Sequence, residues 1–179
     1  MIRTHADRMT MISLAPPSVP RLSLEPTSSR HALLDGGWWP RSRDPVAELP
    51  GLILAIDARR GTITQVMLGM AGWDSHPRRL GVAGRVVRLA WFTTQHPHLL
   101  TAICGNGDRV DLLVVPAATD YATANAAMSI AAMPEGTRHA PDILPSAAVQ
   151  ASGRRPDAVS EADWETDGGR VNHALERSS

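Results

Sequence analysis

From residue 62 to 115 the chain breaks into short β-type segments at glycine turns, and this spacing constrains the fold more than any other feature. Residues 62–70 are rich in Thr, Ile and Val. Segments 79–83 and 86–92 flank Gly84-Arg85, where glycine at the first central position suits a type II′ turn. That register sets Val82 against Val87 and Leu80 against Leu89, on one apolar face with Trp91. A shift of two residues would leave both faces unchanged. Segments 99–104 and 109–115 flank Asn106-Gly107, the favoured type I′ pair. Here the expected register opposes Ile103 to Val110 and Thr101 to Leu112. Leu99 and Val114 join that core face, and Cys104, Ala102, Arg109 and Asp111 face solvent.

Helix signals bracket this run. Asp44-Pro45 is a strong start, because Asp accepts from free backbone N–H groups and Pro at the first position loses no hydrogen bond. Val46, Leu49, Ile53 and Ile56 follow at helical spacing, and Gly61 stops the helix. Pro50 predicts a kink after one entry turn. Thr119 or Asp120 caps a second, Ala-rich helix to about residue 133, with Ala124, Ala127, Met128 and Ala131 on one stripe. Residues 21–24 alternate and precede Pro26, as in an edge strand. The expected fold is α+β: a mostly antiparallel sheet of five or six strands with two helices packed on one face.

The termini carry little to fold. Residues 1–20 hold three prolines and no regular period, and Met9 or Met11 could serve as the start. Residues 146–179 hold six acids and four Arg but few large apolar residues. The expected organisation is a disordered lead-in over 1–20, one α+β domain over 21–145 and a disordered acidic tail over 146–179. Trp164, inside Glu161-Ala-Asp-Trp-Glu-Thr-Asp, is either a docking motif or an isolated Trp in a solvated tail.

Composition excludes several classes. The chain has 18 Arg, no Lys and 18 acids, for zero net charge. Residues 21–145 carry 12 Arg against 11 acids, which disfavours nucleic acid as a partner. One cysteine excludes disulfide frameworks and multi-cysteine metal sites. Without a membrane span or signal sequence, the expected compartment is the cytoplasm.

The segment Asp35-Gly-Gly-Trp38-Trp39-Pro40-Arg41-Ser42-Arg43-Asp44 is the most distinctive in the chain. With Trp73-Asp74, Arg79-Leu80, Gly84-Arg-Val-Val-Arg88-Leu89, Gln95-His-Pro97 and Leu112-Leu-Val-Val-Pro116, it resembles an actinobacterial family of domains of unknown function. The resemblance covers roughly residues 21–145. It implies domain limits and a cytoplasmic actinobacterial protein. The family has no assigned activity, so it implies no catalytic residue.

The residues themselves suggest where chemistry could lie. Two indoles and two guanidinium forks in one loop can hold a flat ligand and a carboxylate, or can simply cap the core. Between Ser75 and Gly107 there is no acid, while Arg78, Arg79, Arg85, Arg88, His76, His96 and His98 all fall there. Arg79 and Arg88 share a sheet face and repel unless solvated or bridged by an anion. His96-Pro-His98 could offer two metal ligands and lacks an evident third. Cys104 has no thiolate-stabilising motif. No catalytic residue, metal or cofactor is assigned.

The reading favoured by the sequence is a non-enzymatic module that binds an acidic ligand or protein partner. Its candidate binding residues are Trp38, Trp39, Arg41, Arg43, Asp44, Trp73, Arg79, Arg88 and Gln95. One alternative is an enzyme of unfamiliar type using Asp35, Asp44 or His96 beside the Arg cluster. The other is a self-associating protein with Trp38 and Trp39 at a dimer interface.

Overall fold

The computed structural model describes residues 9–26 and 31–167, with side chains of the last helix described to residue 153. Strands β1 (Met11–Ile12), β2 (Leu22–Leu24) and β3 (Gly36–Trp38) precede helix α1 (Pro45–Arg60). Then come β4 (Ile63–Gly69), β5 (Arg79–Val82), β6 (Arg85–Phe92), β7 (Leu99–Cys104) and β8 (Arg109–Val114). Helices α2 (Tyr121–Ala131) and α3 (Ala140–Asp167) follow. The eight strands form one sheet in the order β1-β5-β6-β4-β7-β8-β3-β2.

This corrects the expected architecture. The sheet is mixed: β1 with β5, β3 with β8 and β4 with β6 are parallel pairs. Among the described residues the sheet has eight strands in place of five or six, and there are three helices in place of two. Nor do the helices share a face. Leu112 and Val114 point into the α1 core, whereas Leu113 and Val115 point into the core of α2 and α3. The additional strands had no readable pattern, because β3 is only Gly-Gly-Trp and β1 only two residues.

Helix α1 forms for the reasons its sequence gives. Asp44 accepts from the Val46 N–H at 3.0 Å, and Gly61 closes the end with φ 110°. Pro50 sits inside a continuous helix, so the predicted kink does not divide it. Leu49, Leu52, Ile53 and Ile56 are buried against Val66, Leu68, Leu80, Val87 and Leu89. Asp57, near its end, binds Arg85 through one oxygen and accepts from the Ile63 N–H with the other.

The two hairpins differ from their expected registers in different ways. The first turns at Ala83-Gly84, both with positive φ, as a type I′ turn requires. Leu80 therefore opposes Val87, a shift of two that keeps Leu80, Val82, Val87 and Leu89 buried. In the second, the Cys104 N–H donates to Asp108 and the Gly107 N–H donates back to Cys104. The loop thus has three residues, with Gly107 alone at positive φ (90°). That extra residue slips the register by one, so Leu100 opposes Leu112 and Ala102 opposes Val110. Leu100, Ala102 and Cys104 take the core face, and Leu99, Thr101 and Ile103 turn to the other.

The described part of the lead-in lies on the body. Met11 and Ile12 pair with Leu80 and Gly81, and the Ser18 carbonyl approaches α1 so closely at Gly51 that a Cβ would stand 2.1 Å away. At the other end, helix α3 continues past residue 145, and Ala147 is fully buried with Ala140 and Ile143. Residues 1–8 and 168–179, and the Trp164 side chain, lie outside the described set.

Candidate functional site

Strands β3, β4 and β8 run in the same direction, and a cavity of about 350 Å³ opens where they end. Pro40, Ser42 and Arg43 border it beyond β3, Trp73 beyond β4, and Pro116 to Ala118 beyond β8. His98, just before β7, completes the wall. Carboxyl ends of neighbouring parallel strands are a recurrent place for ligand crevices, because connections diverge there and leave room.

Trp73 supplies a rigid surface. It is buried, stacks on Trp38 with ring centroids 5.8 Å apart, and meets Trp91 edge-on at 6.3 Å. The Trp91 N–H donates to the Pro77 carbonyl at 2.7 Å, and His76 packs edge-on against Trp91 at 4.9 Å. Three indoles and an imidazole thereby support one wall.

Arg43 stands at the entrance. Its Nε donates to the Gly72 carbonyl at 3.0 Å and lies 3.6 Å from Asp74, while the Asp74 N–H donates to the Arg43 carbonyl. These contacts tie the loop after β3 to the loop after β4. The Arg43 side chain is 61% exposed, and both terminal nitrogens remain without a partner among the described residues. Ser42 differs: its hydroxyl donates to Glu48 at 2.9 Å.

His98 is half-buried. Burial first, and then neighbouring His96, hold its pKa below the ordinary imidazole value, against a backbone hydrogen bond to Val114 that raises it. The two imidazoles lie 5.1 Å apart, and His96 Nδ1 accepts from the His98 N–H at 3.2 Å. Among the described residues no group of three His, Cys, Asp or Glu comes together to hold a metal. Cys104 is buried, which raises its pKa and keeps it a thiol.

The structure separates most of the sequence-predicted residues. Arg43 and Trp73 line the cavity, with Trp38 behind Trp73. Trp39 points to the opposite face of the sheet, where Arg21 lies 3.5 Å over its ring and Tyr121 packs at 6.2 Å. Both Trp38 and Trp39 are buried within this chain and present no surface to a second copy. Arg41 donates to the Val19 carbonyl, and Asp44 caps α1. Gln95 donates to Met67 and Leu99, bridging β4 and β7. Arg79 and Arg88 face each other on β5 and β6, away from the cavity.

The candidate acids have structural partners as well. Asp35 accepts from the Asp111 N–H at 2.9 Å and lies 3.9 Å from buried Arg60; burial raises its pKa, against these two opposing influences. Neither Asp35, Asp44 nor His96 lines the cavity. Sequence reasoning missed His98 as a lining residue, weighing it as half of a metal pair and as one of the cations of the acid-free stretch 75–107. Its signal was position: it follows Pro97 at the entry to a buried strand.

Residues 21–131 match the family of unknown function DUF5994, and the chain belongs to that family. No curated protein and no solved structure matches the chain. Among the described residues no helix is long and apolar enough to cross a membrane.

Proposed function

We propose that this DUF5994 member is a cytoplasmic, non-enzymatic module that binds a small acidic ligand with an apolar body in the cavity beyond β3, β4 and β8. One observation carries the reading: a mainly apolar cavity has a supported indole wall in Trp73 and a guanidinium with free terminal donors in Arg43. An indole face favours a flat or aliphatic body, and a guanidinium fork favours a carboxylate held bidentately. A volume of about 350 Å³ restricts the ligand to small molecules. His98, held toward its neutral form, presents a polar edge with little added charge. The Ser42 hydroxyl donates to Glu48, so its proton is already engaged within the chain.

The test is calorimetry and tryptophan fluorescence with benzoate, hexanoate and indole-3-acetate. At least one should bind and quench Trp73, with Arg43→Gln weakening affinity roughly tenfold, as expected for loss of a charge-assisted pair. Ala118→Phe, which fills the cavity from its exposed rim, should abolish binding. Unchanged affinity in Arg43→Gln, or no binding by any of the three acids, overturns the reading.

A further inference from the structure

The sheet has a second unusual surface, whose residues do not line the cavity. Helix α2 sits over β2, β3 and β8 at one end of the strand order, whereas β5 and β6 lie toward the other. On the same outer face of β5 and β6, Arg79 and Arg88 are direct cross-strand partners, and both are exposed. Two like charges at this spacing repel unless they are solvated or bridged by an anion. Neither forms an ion pair among the described residues. The same strand face carries Val86 and Phe92, which are 51% and 42% exposed. Gln65 of β4 stands beside Arg88. The patch therefore combines unpaired positive charge with exposed apolar area.

The chain itself contains a segment of complementary chemistry. Residues 161–167 hold four acids, no Arg, and Trp164 at the centre. Whole-chain neutrality thus divides into a positive face and a negative segment. The segment belongs to α3, whose buried residues among those with described side chains include Ala140, Ile143 and Ala147. Helix α2 has 11 residues and α3 has 28, or about 16 Å against about 42 Å at 1.5 Å per residue. Helix α3 is thus longer than α2 by roughly 25 Å on that rise.

We propose that the outer face of β5 and β6 is a docking surface for the acidic, Trp-centred segment 161–167 of a second copy of this chain. Arg79 and Arg88 pair with the segment's carboxylates, and Val86 and Phe92 cover apolar area beside Trp164. Exchange of the segment between two copies makes the contact reciprocal, so the assembly closes as a symmetric dimer. Acidic motifs read by clustered arginines are a recurring recognition mode. This surface is independent of the cavity, so failure of either assignment leaves the other standing.

The test uses the full chain in multi-angle light scattering and sedimentation across a concentration and salt series. The wild-type chain should dimerise, more weakly as salt rises. Arg79→Glu with Arg88→Glu should raise the dimer dissociation constant at least about tenfold, as should Asp163→Lys with Glu165→Lys. Combining both pairs should restore dimers, an outcome that general damage to the fold would not produce. A wild-type chain that stays monomeric at high micromolar concentration overturns the proposal. So does a dimer indifferent to Arg79→Glu and Arg88→Glu. A monomer that captures a labelled 161–167 peptide through these arginines assigns the face to another acidic partner and likewise overturns the second-copy assignment.

Discussion

The two faces of the sheet are built from different mixtures of large and small residues. On the α1 side, Leu49, Leu52, Ile53 and Ile56 meet Leu68, Leu80, Leu89, Leu100 and Leu112, and stability comes from filling volume with large side chains. On the α2 side Ala124, Ala127, Ala131, Ala140 and Ala147 pack among Trp39, Leu113, Met128, Ile130 and Ile143, and close backbone approach at Gly37 adds to the filling of volume. A Cβ at Gly37 would stand 2.9 Å from the Cα of Met128, so α2 rests almost directly on β3. Trp38 and Trp39 enter one face each. The first side is therefore sensitive to atoms removed, and the second also to atoms added at Gly37.

Deletion on the α1 side should have the largest effect. Leu112→Ala, at a fully buried position, should lower unfolding free energy in denaturant by about 2–5 kcal/mol. Addition on the α2 side comes next. Gly37→Ala should cost about 1–3 kcal/mol, because the neighbour it meets is helix backbone, which cannot rotate aside. A neutral Gly37→Ala would break the contrast and show that α2 is held by its side chains alone. The smallest effect belongs to the rim where the faces meet, since the cavity beside His98 includes both Val114 and Val115. The native His98 binds its proton less tightly than an unfolded imidazole, whose value is near 6.5. Its contribution is complete above that value and is lost as pH falls through the window just below it. Melting temperature should decline there on acidification, and His98→Gln should flatten that part of the profile.

The same contrast explains which parts of the structure were legible in the sequence. Periodic large side chains announced α1 and the faces of β5 and β6, where a two-residue shift in register changed nothing about burial. The register of β7 was misread because Asn106-Gly107 resembles a two-residue turn. Adding Gly105 makes a three-residue loop and exchanges Ile103 for Ala102 in the core. Strand β3 was invisible because glycine carries no periodicity; its identity reflects what α2 and β2 require of it. Trp73 and Arg43 could be singled out locally as a large flat surface and a cationic fork. Their meeting depended on parallel β3, β4 and β8, which are distant in sequence.

That distance has a consequence for how the molecule assembles. Gly36 pairs with Leu112 and Trp38 with Val114, closing a loop of more than seventy residues. Such a contact is entropically expensive until the intervening chain is compact. During synthesis, β3 waits without this neighbour while α1 and four further strands emerge before β8. The indole of Trp38 then marks a late event. Its burial reports that the last strand of the central sheet has arrived, and with it the wall against which Trp73 is braced.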